Sequence, residues 1–163
     1  MGKHKILIFT LLLLTSSVWC SARQVAFQIV QHDGTAEVSE QSLSIEDEVL
    51  TNFFDYGYIV TNSDAAVSES AAQDEKLYNI GIGEAIDGFS DYFVQIKLFY
   101  DKVNQSGEVP ELTKIDWTIA SAKTGEKVKN NSITNIKLEH KKDATKKLSS
   151  SLAAEINSAL KAK

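Results

Sequence analysis

Nine consecutive residues, Tyr92 to Tyr100, alternate so regularly that they leave few architectures open. Tyr92, Val94, Ile96, Leu98 and Tyr100 fall on one side of an extended chain, and Phe93, Gln95, Lys97 and Phe99 on the other. One row is wholly apolar or aromatic and the other half so. Such a strand needs full cover on one face and partial cover on the other, which is the position of a central strand in a sheet flanked by helices.

The neighbouring segments supply that cover. Gln24 to Gln31 alternates with Val25, Phe27 and Ile29 on one face and reads as a first strand, ended by the turn signal His32-Asp33-Gly34. Ser44 is expected to cap a helix with Glu46, Asp47 and Glu48 in its first turn and Ile45, Val49, Leu50, Phe53 and Phe54 on its apolar face. Gly57 is its expected left-handed terminator, and Tyr58 to Asn62 a short strand directly after it. Asp64 to Ser70 reads as an acidic, small-residue linker. Ala71 to Asp87 reads as a second helix with Leu77, Ile80, Gly81 and Ala85 inward and Gly88 at its end. Gly81 and Gly83 each weaken that helix by up to about 1 kcal/mol relative to alanine, so both are expected to permit close packing on the sheet.

After the central strand, Gly107 and Pro110 mark a loop, and Ile115, Trp117 and Ile119 build the next strand. Lys123 to Glu126 is a hairpin turn, and Lys127 to Ile136 returns as a polar edge strand. Asp143 is expected to cap a last helix, to about Leu160, whose apolar face is Leu148, Leu152, Ile156, Ala159 and Leu160. The predicted fold class is α/β (α+β). It is one domain with a sheet of about five strands against three helices, in the order β-α-β-α-β-β-β-α.

Ahead of this domain, Lys3, His4 and Lys5 precede an apolar run from Ile6 to Leu14 and a small-residue tail from Thr15 to Ala22. That is the layout of a secretory signal peptide, and its core is shorter than the roughly 20 residues a membrane span requires. Small side chains at Cys20 and Ala22 place cleavage between Ala22 and Arg23. Residues 1–22 are thus the expected signal, and residues 23–163 a single exported domain without an integral membrane span. The chain's one cysteine, Cys20, leaves with the signal. The alternatives are lipid anchoring through Cys20, disfavoured by Trp19 where processing prefers a small residue, and secretion to the outside. An exported domain without cysteine points to a bacterial periplasm.

Charge is unevenly distributed. Residues 23–111 carry seventeen acidic and four basic side chains, and residues 112–163 carry five acidic and eleven basic. The halves either pair across the fold or form a dipolar surface that orients a partner, with Lys141, Lys142, Lys146 and Lys147 as candidate partner-facing charges. An acidic exported domain lacks the basic stripe that nucleic acid requires.

Residues suited to catalysis are few. His32 and His140 are isolated in sequence, without a second ligand at helical or hairpin spacing. His32, beside Asp33, reads as a solvated turn residue. Glu84, Asp87 and Asp91 are carboxylates near the start of the central strand, but acid–base glycoside chemistry demands a cleft as well. No Gly-x-Ser-x-Gly elbow occurs, and Gly81-Ile82-Gly83 lacks the lysine and the preceding strand of a phosphate loop. The expectation is no catalytic, cofactor or metal site. The aromatic groups Phe53, Phe54, Tyr56, Tyr58 and Tyr92, Phe93, Phe99, Tyr100 are expected to pack the core.

Three motifs recur in order: Asn52-Phe53-Phe54-Asp55-Tyr56-Gly57 running into Tyr58-Ile59-Val60-Thr61; Glu84 to Gln95, a helix end entering the central strand; and Trp117 to Val128 with its Thr-Gly-Glu hairpin. Together they resemble the small α/β domain of the curli-secretion-channel family. Similar domains occur in the outer-membrane lipoprotein activator of penicillin-binding proteins and at the N-terminus of the periplasmic Tol translocation protein. The resemblance implies a non-catalytic module that binds another cell-envelope protein, with a place in envelope assembly or cell-wall synthesis. Nothing in the sequence matches the channel's membrane-spanning hairpins, so a pore is not implied. The alternative is an exported small-ligand carrier, which requires an enclosed apolar pocket.

Overall fold

The computed structural model describes residues 22–32, 35–101, 110–136, 138 and 142–162. The predicted signal up to Ser21, with Cys20, lies outside the described residues, as do His140 and Lys141. In order, the elements are β1 (Gln24–His32), α1 (Glu40–Asp55), β2 (Ile59–Asn62), β3 (Ala66–Ser68), α2 (Ala71–Asp87), β4 (Tyr92–Tyr100), β5 (Leu112–Ser121), β6 (Lys127–Thr134) and α3 (Lys142–Lys161). Among the described residues, no helix is long and apolar enough to cross a membrane.

The strands form one mixed sheet in the order β2-β1-β4-β5-β6, with β3 beside β2 on the same flank of β1. β1 runs parallel to β2, β3 and β4, whereas β4, β5 and β6 are antiparallel neighbours. β4 is therefore interior and β6 an edge, as the alternation of one and the polarity of the other predict.

One face of the sheet carries α1 and α3 packed side by side. Val25, Phe27 and Ile29 of β1, Val94, Ile96 and Leu98 of β4, and Ile115, Trp117 and Ile119 of β5 meet Ile45, Val49 and Phe53 of α1 and Leu152, Ile156 and Leu160 of α3. Each such side chain contributes about 1.5–3 kcal/mol when fully buried. Phe27 and Phe53 meet edge-on, ring centroids 4.8 Å apart. Among the described residues the opposite face carries only α2, which rests on small and aromatic residues: Ala85, Tyr78 and Ile82 lie over Ala26, Phe93 and Ala122.

Several boundaries differ from expectation. α1 begins at Glu40, and its cap is Ser39, whose hydroxyl accepts from the Ser42 amide; Ser44 lies within the helix. α3 begins at Lys142, so Asp143 sits inside its first turn. The segment read as a linker contains β3. Phe54 and Tyr56 are exposed while Phe53 and Tyr58 are buried; on α1 the buried face is Ser42, Ile45, Val49 and Phe53 at one-turn spacing, and Phe54 points about 100° away from it. On α2, Gly81 and Ala85 face inward, but Ile80 is exposed and Tyr78 and Ile82 take its place. Gly57 has φ +86, as its role as terminator requires.

Candidate functional site

The chain leaves β1 through α1 to reach β2 on one flank, and arrives through β3 and α2 at β4 on the other. The two helices cover opposite faces. The boundary between β1 and β4 is thus a point where the direction of winding reverses, and in open α/β sheets ligands bind outside the carboxyl ends of strands at such a point. Here those ends are His32 and Phe99-Tyr100.

On the α2 side, Asp74 in the first turn of α2 joins two strands. Its Oδ1 lies 3.0 Å from His32 Nε2, and its Oδ2 accepts from Lys97 Nζ at 2.6 Å. The His32 ring stacks on Phe99, centroids 4.5 Å apart and 17° from parallel. Lys114 Nζ lies 4.3 Å from the Phe99 centroid and 2.7 Å from Asp116 Oδ2. Burial pushes the Asp74 carboxyl upward, but hydrogen bonds from Lys97 and Ser68 and the charges of His32 and Lys97 outweigh it and hold the group below its ordinary value.

On the α1 side, Gln31 Oε1 accepts from the Ser39 amide and from Ser42 Oγ, both at 2.8 Å. Ser42 Oγ lies 2.9 Å from the Tyr100 hydroxyl, and Gln31 Nε2 donates to Glu37 O at 3.1 Å. Burial pushes the Tyr100 hydroxyl up against the opposing pull of its serine partners. The carboxyl ends of β1 and β4 are thereby stitched to the N-termini of both helices by the chain's own polar groups.

This corrects the sequence reading of His32. It is the buried last residue of β1, not a solvated turn residue, and its partner Asp74 lies on α2 rather than at the adjacent position. The Gln31–Ser42–Tyr100 network was not read from the sequence; the signal for it was the apolar stripe of α1, which extends one turn back from Ile45 to Ser42. Among the described residues, no group of three or more His, Cys, Asp or Glu side chains is placed to hold a metal.

Beside α2, over the uncovered part of the sheet, lies an open cleft of about 440 Å³ bounded by Asp74, Tyr78, Gln95, Lys97, Thr118 and Lys127. Lys127 Nζ stands 5.0 Å from the Tyr78 ring centroid. The cleft is open and its lining mixes polar and apolar surface, whereas a carrier pocket requires an enclosed apolar wall.

The predicted partner-facing lysines are on α3. Lys146 and Lys147 are exposed, and Lys146 Nζ lies 3.7 Å from Glu48 Oε1 on the neighbouring α1. Lys142 opens the helix, and Lys141 is outside the described residues. The acidic and basic halves of the sequence meet elsewhere too, in Asp91 with Lys123 at 3.2 Å. Acidic α1 lies against basic α3, and the Glu48–Lys146 and Asp91–Lys123 pairs join the two halves of the charge split.

A mixed six-stranded sheet with two helices on one face and one on the other defines the class. A family model described as "Uncharacterised protein" matches residues 24–161, and the chain belongs to that family. No curated protein matches the sequence. Among solved structures, the chain is similar to the PelC dodecamer from Paraburkholderia phytofirmans, at 14% identity over 85% of this chain and 87% of that one, with a TM-score of 0.44. It is similar to TolB from Acinetobacter baumannii, at 12% identity over 86% of this chain and 28% of TolB, TM-score 0.42. It is also similar to the LpoB C-terminal domain from Salmonella enterica, at 14% identity over 76% of this chain and 89% of that domain, TM-score 0.41. TolB and LpoB are of the kinds that the three sequence motifs resemble.

Proposed function

We propose that the chain is exported, loses residues 1–22, and works in the bacterial periplasm as a non-enzymatic module that binds another cell-envelope protein, in envelope assembly or cell-wall synthesis. The observation that carries this reading is the use made of His32. The histidine best placed for acid–base work at the carboxyl ends of the strands is stacked on Phe99 and tied to Asp74, where it fastens α2 to the sheet. The leader layout and the motif resemblance support the compartment. Exposed Lys146 and Lys147, with Lys141 and Lys142, form the partner-facing charge.

The test is affinity capture of the tagged, exported protein from its own envelope, followed by binding kinetics with the captured partner. Association should slow as salt rises, because exposed charges are screened beyond roughly 8 Å at physiological ionic strength. Reversing the four lysines to glutamate should slow association more than it speeds dissociation. No captured partner, or loss of cellular activity in a folded His32→Gln variant whose partner binding is intact, would overturn the reading.

A further inference from the structure

The C-terminus of α2 ends in a Schellman arrangement. Gly88 N–H donates to Glu84 O, Phe89 N–H to Ile86 O, and Ser90 N–H to Ala85 O. In this motif the residue after the cap is left-handed and is normally glycine. Here the glycine stands one position early, at φ −80, and the left-handed residue is Phe89, with φ 58. A bulky side chain in that region carries a steric penalty that glycine or asparagine avoids.

Packing offers no compensation, since Phe89 is 89% exposed, and Ile86 three residues before it is 49% exposed. A single exposed apolar residue is ordinary. An exposed phenylalanine at a left-handed turn that glycine or asparagine would make without strain is not, and strain carried by an exposed side chain points to function. The surrounding charge adds to the local cost. Exposed Glu84 and Asp87 sit at the negative end of the α2 dipole, with no basic residue in its last turn, while Asp91 just beyond pairs with Lys123 and accepts from the Gln24 amide.

We propose that Phe89, with Ile86 beside it, is a rigid aromatic anchor that inserts into an apolar pocket of a partner protein whose rim carries lysine or arginine. This deepens the protein-binding reading and rests on it. The acidic collar selects the occupant: it complements a basic rim and repels the anionic headgroups of a lipid surface. The Schellman hydrogen bonds fix the backbone from which the ring projects, which lowers the backbone share of the ordering cost of docking.

The test uses the full chain in its own cells, with p-benzoylphenylalanine replacing Phe89 and, separately, the exposed Phe54 of α1 as control. Irradiation should give one discrete adduct with another protein from position 89 and none from position 54. The adduct should disappear when Glu84→Lys and Asp87→Lys are added. With the captured partner, Phe89→Gly should weaken binding by about thirtyfold, the scale of an aromatic hot spot, while moving the urea midpoint of the chain upward.

An adduct with a second copy of the chain, an adduct with lipid, equal labelling at both positions, or an adduct indifferent to charge reversal would each overturn the anchor. So would a lowered urea midpoint in Phe89→Gly, which would make the ring structural. If the tagged wild-type chain captures a partner that position 89 does not label, the anchor fails and the module reading stands. If it captures none, both fail.

Discussion

Gly81 of α2 and Phe93 of β4 meet so closely that no side chain fits at Gly81 unless the ring moves. A Cβ built on Gly81 would lie 2.5 Å from Phe93 Cζ and 2.8 Å from Cε2, with Gln28 Oε1 at 3.1 Å. Phe93 is fully buried, so its ring could give way only by shifting within the interior. Gly83, two residues on, has nothing within 4 Å of the same position.

Gly81→Ala should therefore destabilise the fold by about 1–3 kcal/mol through overpacking, despite the gain in helix propensity. Gly83→Ala should stabilise it by up to about 1 kcal/mol. Urea midpoints of the two variants should move in opposite directions.

Leu98 and Ile96 are both 0% exposed at the centre of the larger core. Leu98→Ala should cost roughly 2–5 kcal/mol, from lost burial and the cavity left behind. An unchanged urea midpoint would place the core elsewhere.

Asp74 gives the fold an acid limit. Its folded carboxyl titrates below its ordinary value of 3.8, so its contribution is fully present above that pH and is lost as pH falls through the lower, folded value. Asp74→Asn should remove this part of the acid dependence and cost about 1.5–3 kcal/mol at neutral pH for each charged hydrogen bond lost. Stability measured from pH 7 down to pH 2 in both proteins tests it.

Glu46 has the opposite sign. Burial raises its carboxyl above the ordinary 4.5, the Asn62 hydrogen bond opposes this, and Asp64 and Asp47 add to the rise. The folded state then binds a proton more readily than the unfolded one, so stability contributed here falls as pH rises from 4.5 through the folded value. Glu46→Gln, which can still accept from Asn62, should be more stable than wild type at pH 7. The difference should vanish in acid.

The exported form should begin at Arg23 and carry no lipid. Intact mass spectrometry decides this, and a diacylated terminus at Cys20 would replace the free domain with an anchored one.

Much of the fold was legible because its burial is periodic. β4 and the apolar face of α3 follow their repeats closely, and Gly57 stands where a left-handed residue is required. β3 escaped because three residues, Ala-Val-Ser, are too few to show a period. The start of α1 was misplaced because Ser39 and Ser44 are equally good caps by type, and the buried Gln31 that bonds the Ser39 amide decides between them. The partnership of His32 with Asp74 joins residues from different elements, which spacing along a chain cannot show. Nor can residue type reveal that Phe89, rather than Gly88, takes the left-handed turn.

The position of β1 bears on the order in which the molecule can assemble. Among the described residues, the first strand of the domain pairs with residues 59–62, 66–68 and 92–99, and Gln24 and Asp91, hydrogen-bonded across the β1–β4 seam, are 67 positions apart. Contacts that distant are slow to form. For a chain threaded across a membrane N-terminus first, Val25 to Val30 emerges early and travels without its principal neighbour until Phe99 has crossed. Over that interval an unpaired apolar strand stands open to misassociation, and slower threading would lengthen that exposure.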